Sequence, residues 1–337
     1  MRDGKLKELE KIYRVKGKKF LFKVETSSDT RQYMKYERLR NRIWGDPKDN
    51  LAGLRNMKCE NYFQEGSSLF IGVFTEDEKG NFKEDSEYLV GFSYGFVGVN
   101  NNQIGFRNVD NLLFYSQYTG VREDFQNLGL AVLIKQFQKE KLLEIFGIQT
   151  ISCTYDPLSG INAYRNIHQL GMDVVQYKKG DKGVFSGLLN RMDIPCDRFY
   201  VWWDLRKKIR RPEYDLGYLF KSGRLALSSE VVEVKGKSGQ VKLEAVKEIN
   251  LNTDWEFLLV EIPYDYYLML KETDVSDSKV KNLPLDWRMK TREVFQVLFH
   301  RGYKIIDFRW LKKDRRKRDF YILIKERSSD GNTQNTD

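Results

Sequence analysis

The chain has 337 residues, of which 41% are hydrophobic and 14% aromatic, so it can bury sizeable cores and is not a disordered or low-complexity protein. Its formal net charge of +10 favours an anionic partner but does not distinguish a nucleic acid from a phosphorylated cofactor. With only two histidines and three cysteines, the composition argues against a His-rich metal site, a Ser-His-Asp hydrolase and a disulfide framework.

The sequence predicts neither a membrane span nor a secretory signal. No run of about 18 apolar residues occurs, and residues 1–19 are highly charged without a signal-like apolar stretch. We therefore expect a cytoplasmic protein, because a reducing compartment suits the widely spaced cysteines, with no membrane contact and no bound metal. The sequence leaves the oligomeric state open.

The first part of the chain is predicted to mix helices and strands. A helix that begins at Ser28 or Asp29 and ends near Ile43 has a capping residue at its start. A helix over 130–146 has an apolar stripe and Gly147 at the position of a C-terminal cap, and a short helix over 161–170 ends before Gly171. Runs rich in β-branched and aromatic residues predict strands over 19–25, 68–74, 88–99, 112–121, 148–155, 172–177 and 199–205.

The last part of the chain is less periodic. It is predicted to contain a helix over 286–301 and strands over 229–235, 240–246, 257–262, 304–310 and 319–325. The basic tract over 312–318 has the composition of a nucleic-acid contact, but a solvated hairpin tip between two apolar strands explains it better. The basic run over 206–211, followed by a proline, suits a connector. We therefore predict a first domain over 1–208, a mixed α/β extension over 209–326 and a disordered tail over 327–337.

The segment after strand 112–121 carries the main functional signal. It reads Gln126-Asn127-Leu128-Gly129-Leu130-Ala131 and leads directly into the helix over 130–146. Gly129 allows the main chain to approach a ligand closely, and the N–H groups and dipole of a helix N-terminus form an anion site. The pattern therefore predicts a diphosphate site made mainly by the backbone.

This arrangement resembles the GNAT superfamily of N-acetyltransferases. The coenzyme A loop of that superfamily follows the pattern Gln/Arg-x-x-Gly-x-Gly/Ala, which Gln126, Gly129 and Ala131 match. The predicted strand-loop-helix-strand-helix order over 112–177 is similar to the superfamily's core. The resemblance implies an α/β fold with a mixed, largely antiparallel sheet flanked by helices.

A narrower resemblance is to a bacterial subfamily of predicted acyltransferases with a C-terminal α+β extension. The segments that carry it are Ile43-Trp44-Gly45, Tyr155-Asp156-Pro157-Leu158, Asp197-Arg198-Phe199 and Arg301-Gly302-Tyr303. This resemblance covers much of the chain.

The resemblance implies that acetyl-CoA or another acyl-CoA lies between two splayed strands, 112–121 and 148–155. The diphosphate would bind the loop, the thioester would lie near Val121, and Asn162 would contact the pantetheine arm. An equally good interpretation of Asn162 is a residue at the start of its helix. The predicted cofactor-binding residues are Val121, Arg122, Gln126, Asn127, Leu128, Gly129, Leu130, Ala131 and Asn162.

The catalytic residues are less clearly marked. Strand 112–119 contains no carboxylate and no histidine, so Ser116, Gln117 and Tyr118 are candidates only for positioning a water molecule. Asp156, at the end of the neighbouring strand, is the nearest candidate base, although a turn residue before Pro157 is the simpler interpretation. Ile167 stands where the superfamily often has a tyrosine acid, and a thiol with a pKa near ~8.5 can leave without one.

We therefore expect transfer of an acetyl or other short acyl group from coenzyme A to a primary amine of a small molecule, by direct attack. An amino acid is one such acceptor. The alternatives are a protein N-acetyltransferase, whose peptide groove the extension would form, and a non-catalytic protein of the same fold that binds acyl-CoA. Nucleic acid is not the expected partner.

Overall fold

The computed structural model describes residues 8–45, 54–183, 189–313 and 316–326, and its contacts divide the chain into two compact units. The first comprises Met1–Thr154, Phe185–Arg191 and Tyr200–Lys208, and the second comprises Tyr155–Val184, Met192–Phe199 and Ile209–Asp337. The chain leaves the first unit for the last time after residue 208, where the basic connector was predicted. The predicted tail over 327–337 lies outside the described residues.

The strands and helices alternate along the chain as a mixed α/β pattern. Within the described ranges the strands are β1 (Glu10–Val15), β2 (Lys18–Val24), β3 (Ser68–Thr75), β4 (Leu89–Val99), β5 (Leu112–Val121), β6 (Thr150–Tyr155), β7 (Asp173–Lys178), β8 (Arg198–Asp204), β9 (Leu225–Gly236), β10 (Gly239–Ile249), β11 (Phe257–Ile262), β12 (Tyr303–Lys313) and β13 (Arg316–Lys325). The α-helices there are α1 (Met34–Trp44), α2 (Leu54–Glu60), α3 (Leu130–Lys141), α4 (Gly160–Ala163), α5 (Leu216–Lys221), α6 (Tyr266–Glu272), α7 (Ser278–Lys281) and α8 (Leu283–His300).

Every predicted strand and helix is present, with limits shifted by a few residues. The helices predicted over 130–146 and 161–170 are α3 and α4, each continued by a π-helical turn, Leu142–Phe146 and Tyr164–Gln169. The sequence did not predict β1, α2 or the short helices α5–α7. The order β5, loop, α3, β6, α4 is the one that the resemblance to the GNAT superfamily implies.

The first unit is built on one sheet whose strands lie in the order β1-β2-β3-β4-β5-β6-β8. Strands β1 to β5 pair antiparallel with their neighbours, and β5 pairs with β6 in parallel. Together with the α+β second unit described below, this confirms the predicted fold class, a mixed and largely antiparallel sheet flanked by helices with a C-terminal extension.

Strand β4 shows why the centre of this sheet is buried on both faces. Successive side chains point to opposite faces of a strand. Phe92 and Tyr94 pack in the aromatic cluster beneath α1, while Ser93 accepts a hydrogen bond from Gln138 of α3 (2.9 Å). Helices α1 and α3 therefore cover opposite faces, and the seven residues from Leu89 to Gly95 are all buried.

The second unit contains a five-stranded sheet in the order β10-β9-β11-β13-β12. Two hairpins, β9–β10 and β12–β13, flank β11, which runs parallel to β9 and antiparallel to β13. Helix α8 begins at Leu283, three residues before the predicted start, because Pro284 suits the first turn of a helix. Its buried side includes Trp287 and Arg288.

The basic tract of the β12–β13 hairpin is not simply a solvated tip. The guanidinium of Arg318 forms two hydrogen bonds with the carboxylate of Glu261 (2.7 and 2.6 Å), and Arg316 lies 3.3 Å from the same carboxylate. Glu261 is fully buried. Two of the tract's cations therefore balance a buried carboxylate, while residues 314–315 lie outside the described ranges.

Of the helices in the described ranges, none is both long and apolar enough to cross a membrane.

Candidate functional site

The loop between β5 and α3 has the backbone geometry of an anion-binding turn. Asn127 and Gly129 both adopt left-handed conformations, with φ of 60° and 79°, and α3 begins at the next residue, Leu130. Backbone reversals of this kind turn successive N–H groups toward one point. A Cβ atom built on Gly129 would meet no heavy atom within 4 Å, so the space next to this residue is open.

The N–H groups of this loop divide into two sets. Those of Arg122, Phe125 and Gln126 donate to the carbonyls of Val90 (2.8 Å), Arg122 (2.9 Å) and Glu123 (3.1 Å). In the part of the chain that the structure describes, the N–H groups of residues 127–131 have no acceptor. Five donors at the start of a 12-residue helix are therefore available to an anion.

The side chains of Gln126 and Arg122 are held within the protein. Gln126 Nε2 donates to the Val121 carbonyl (3.3 Å). Arg122 bonds the Asp124 carboxylate (2.8 Å) and the Glu87 carbonyl (2.7 Å). Both side chains therefore brace the loop, and the predicted anion contacts lie with the backbone of residues 127–131.

A cation that the sequence analysis missed lies beside the loop. Lys16 and Gly17, with φ of 47° and 81°, form the tight turn between β1 and β2. This turn brings Lys16 Nζ to 3.4 Å from the Asn127 carbonyl oxygen. The Lys-Gly pair before strand 19–25 was the available signal for a turn, but β1 was hidden by its many charged residues.

Strands β5 and β6 separate immediately after their point of contact. In the described parts of the two strands they pair only at Phe114 with Ile151 and at Tyr115 with Ser152. The Tyr115 hydroxyl reaches the Thr154 hydroxyl (3.4 Å) across the opening. Beyond this point the backbone groups of the two strands no longer pair with each other, as the prediction of a splayed pair requires.

The predicted water-positioning residues Ser116, Gln117 and Tyr118 lie at a bulge on β5. Tyr94 pairs with Tyr118 and Gly95 pairs with Ser116, so Gln117 is the extra residue of the bulge. Its side chain is exposed. Ser116 is buried, and its hydroxyl accepts a hydrogen bond from the ammonium group of buried Lys135 on α3.

Asp156 belongs to the second unit, where its carboxylate has several partners. Arg288, which is fully buried, donates to both oxygens (2.9 and 2.5 Å). The N–H of Leu158 also donates to Oδ1 (2.9 Å), and Arg198 Nη1 lies 3.5 Å from Oδ2. These contacts are those of a turn residue and an ion-pair anchor, and catalysis by Asp156 stays a prediction.

Asn162 also belongs to the second unit. Its side-chain amide donates to Ser159 (2.9 Å), the residue that precedes α4, and its carbonyl accepts a hydrogen bond from Arg165 (2.8 Å). These contacts match the interpretation of Asn162 as a residue of the first helical turn. Its contact with a pantetheine arm stays a prediction.

Cysteine and metal chemistry have little support in the described part of the chain. Cys59, Cys153 and Cys196 form no disulfide, and Cys153 is buried on β6. Among the described residues, no group of three or more His, Cys, Asp and Glu side chains is arranged to hold a metal ion.

Solved structures similar to this chain include the following three, and the names of the first two describe N-acetyltransferases. The ribosomal-protein-S18-alanine N-acetyltransferase of Escherichia coli is 10% identical, with a TM-score of 0.37 over 57% of this chain and 99% of its own. A chimera of the spermidine N-acetyltransferase SpeG from Vibrio cholerae with hSSAT is 8% identical, with a TM-score of 0.37 over 55% and 95%. NAA60 from Arabidopsis thaliana, solved with acetyl-CoA, is 12% identical, with a TM-score of 0.40 over 56% and 99%. No family model and no curated protein matches the sequence.

Proposed function

We propose that this protein is an acyl-CoA-dependent N-acyltransferase that moves an acetyl or other short acyl group to a primary amine. The observation that carries the proposal is the set of five N–H groups over residues 127–131, which have no acceptor among the described residues and lie at the start of α3. The space next to Gly129 is open. A diphosphate needs several donors at one point and little side-chain chemistry. The loop offers several backbone donors at one point, and Lys16 adds positive charge beside it.

The separation of β5 and β6 provides the second half of a coenzyme site. The pantetheine arm of acyl-CoA carries two amide groups, and backbone donors and acceptors without a partner strand can bind them. The stretch of β5 that does not pair with β6 runs from residue 116 to Val121 and leads directly to the loop. A coenzyme bound along both features has its diphosphate at residues 127–131 and its thioester beside β5.

The chemistry then requires an amine in its neutral form. Its nitrogen attacks the thioester carbon, a carbon–nitrogen bond forms, and the oxyanion collapses with loss of the coenzyme A thiolate. The proton that the attacking nitrogen loses passes to the thiolate or to water. An α-amino group with a pKa near ~8 loses its proton more readily than a lysine amine near ~10.4.

The exposed position of Gln117 on the bulge favours it over buried Ser116 as the residue that orders a water molecule for the proton transfer. This assignment extends the prediction made from the sequence. A bulge also turns a backbone N–H out of the ladder, and such a donor suits the oxyanion that forms beside β5.

A protein that binds acyl-CoA without turnover is the second candidate. It is favoured by the lack of a carboxylate and of a histidine on β5, the strand nearest the proposed thioester. Protein N-termini are an alternative acceptor class to small amines.

Calorimetric titration with acetyl-CoA tests the coenzyme site, and thiol release tests turnover. The acceptor panel contains alkyl amines, amino acids and short peptides with unblocked N-termini. We expect binding of acetyl-CoA and thiol release that depends on an amine. Binding without thiol release from any acceptor points to the second candidate, and a folded protein that does not bind acetyl-CoA refutes both.

A further inference from the structure

The sheet face beneath α1 presents an aromatic surface next to the opening between β5 and β6. Tyr94 and Phe96 of β4 have ring centroids 6.5 Å apart, and Phe96 lies 5.6 Å from Tyr115 of β5. Tyr118 of β5 packs edge-on against Trp44 of α1 at 5.3 Å. Tyr115, Tyr118 and Trp44 are half-buried, so this surface is partly open to solvent.

Two glutamates near this face differ in how their charge is balanced. Glu25 is buried, and its carboxylate lies 2.8 Å from the Lys35 ammonium nitrogen. Glu60, at the C-terminal end of α2, is half-buried and accepts a hydrogen bond from the Tyr94 hydroxyl (2.9 Å). Within the described ranges, no lysine, arginine or histidine nitrogen lies within 4.0 Å of the Glu60 carboxylate.

The Tyr94 hydroxyl acts as a fixed donor to Glu60. Burial first, and then the neighbouring Glu60 carboxylate, raise the pKa of Tyr94 well above its usual value, so the hydroxyl stays protonated. The carboxylate keeps its other lone pairs for a further donor. A partly desolvated carboxylate without a cation is stabilised by a ligand that brings one.

Glu60 and Tyr94 also lie close to the proposed reaction centre. Tyr94 stands directly opposite Tyr118 in the β4–β5 ladder, next to the bulge at Gln117. Tyr115, two residues before the bulge, reaches Thr154 across the opening between the strands. A carboxylate, several aromatic faces and the split strands therefore share one side of the sheet.

We propose that Glu60, which accepts a hydrogen bond from the Tyr94 hydroxyl on the side of the sheet that carries the half-buried ring of Tyr115, binds the acceptor amine in its ammonium form. The bound amine then loses a proton to water before it attacks, and the site selects cationic alkyl amines over zwitterionic amino acids. This inference rests on the proposed acyl transfer. An ammonium ion pairs with a carboxylate and is attracted to aromatic faces. A carboxylate on the acceptor would be repelled by Glu60.

Direct binding tests this without relying on turnover. Butylamine, 1,4-diaminobutane and 4-aminobutanoate are titrated into the wild type, Glu60→Gln and Glu65→Gln. Glu65 is an exposed carboxylate shortly after α2 and is the matched control, whereas Gln at position 60 keeps an acceptor for Tyr94. We expect the two amines to bind the wild type and Glu65→Gln, and to bind Glu60→Gln at least about tenfold more weakly.

Equal binding of the amines to the wild type and to Glu60→Gln overturns the inference, as does 4-aminobutanoate binding as tightly as butylamine. Failure of the wild type to bind either amine also overturns it. Melting curves of the variants check that each is folded. A parallel titration with acetyl-CoA separates this result from the proposed function, because the coenzyme site does not include Glu60. Under turnover we expect Glu60→Gln to raise the KM for the amine and to leave the KM for acetyl-CoA unchanged.

Discussion

Replacing Gly129 by glutamate is the most direct test of the backbone anion site. A Cβ atom at this position meets no heavy atom within 4 Å, so the first side-chain carbon is accommodated without a clash. The positive φ of 79° costs a non-glycine residue about 1–2 kcal/mol. For a unit of this size the expected loss in melting temperature is about 2–8 °C, and the fold survives.

The effect on coenzyme binding is much larger. A carboxylate on residue 129 adds a negative charge to a loop whose five N–H donors have no acceptor among the described residues. At a separation of about 4 Å and an effective dielectric constant of about 20, two like unit charges repel by roughly 4 kcal/mol. This repulsion corresponds to a loss of affinity of about a thousandfold, and added salt should reduce it.

Titration of acetyl-CoA into the folded variant measures this loss. The control is Gly129→Asn, because asparagine tolerates the left-handed conformation and carries no charge. We expect the control to stay within about tenfold of the wild type, since 1.4 kcal/mol of strain or crowding corresponds to that factor. If Gly129→Glu is folded and binds acetyl-CoA as tightly as the wild type does, the N–H groups of residues 127–131 do not hold the diphosphate.

Three further substitutions test other contacts. Lys16→Met should weaken acetyl-CoA binding by about three- to fivefold and lessen its salt dependence, and an unchanged titration contradicts a role for Lys16. Burial raises the pKa of Asp319 from 3.8 to about 6, so the contribution of Asp319 to stability should fall by up to about 3 kcal/mol as the pH rises from 4 through 6. Urea unfolding of the wild type and of Asp319→Asn isolates that contribution, and a stability difference between the two that does not change with pH contradicts the assignment. Asp156→Asn should lower the free energy of unfolding by about 3–5 kcal/mol, because it leaves buried Arg288 without a carboxylate. Normal stability with lost turnover would instead support Asp156 as the base.

Local sequence patterns predicted the features that depend on neighbouring residues. The aromatic and β-branched content of residues 112–121 predicted β5 with the limits that the structure has. Gly147, with φ of 68°, ends the π-helical turn after α3 as a C-terminal cap. The loop after β5, the glycine that ends the π-helical turn and the start of α3 could all be predicted, because each depends on only a few neighbouring residues.

Contacts between distant residues could not be predicted in this way. Arg288 meets Asp156 across 132 positions, and Tyr94 meets Glu60 across 34. A spacing rule relates residues within one strand or helix, but these partners meet only after the sheet and its helices have packed. The polar strand β1 was missed for a different reason, since its exposed and half-buried residues lack the apolar alternation that identifies a strand.

The bulge at Gln117 explains why the aromatic surface beside Glu60 was not predicted. Strict alternation along β5 would place Tyr115 and Gln117 on one face and Tyr118 on the other. The extra residue shifts the register between Ser116 and Tyr118, and both tyrosines then pack on the side of Phe96 and Trp44. After the bulge, every later side chain on the strand points to the opposite face from the one that strict alternation predicts. The side chains nearest the loop can therefore be assigned to a face only from the observed pairing of β4 with β5.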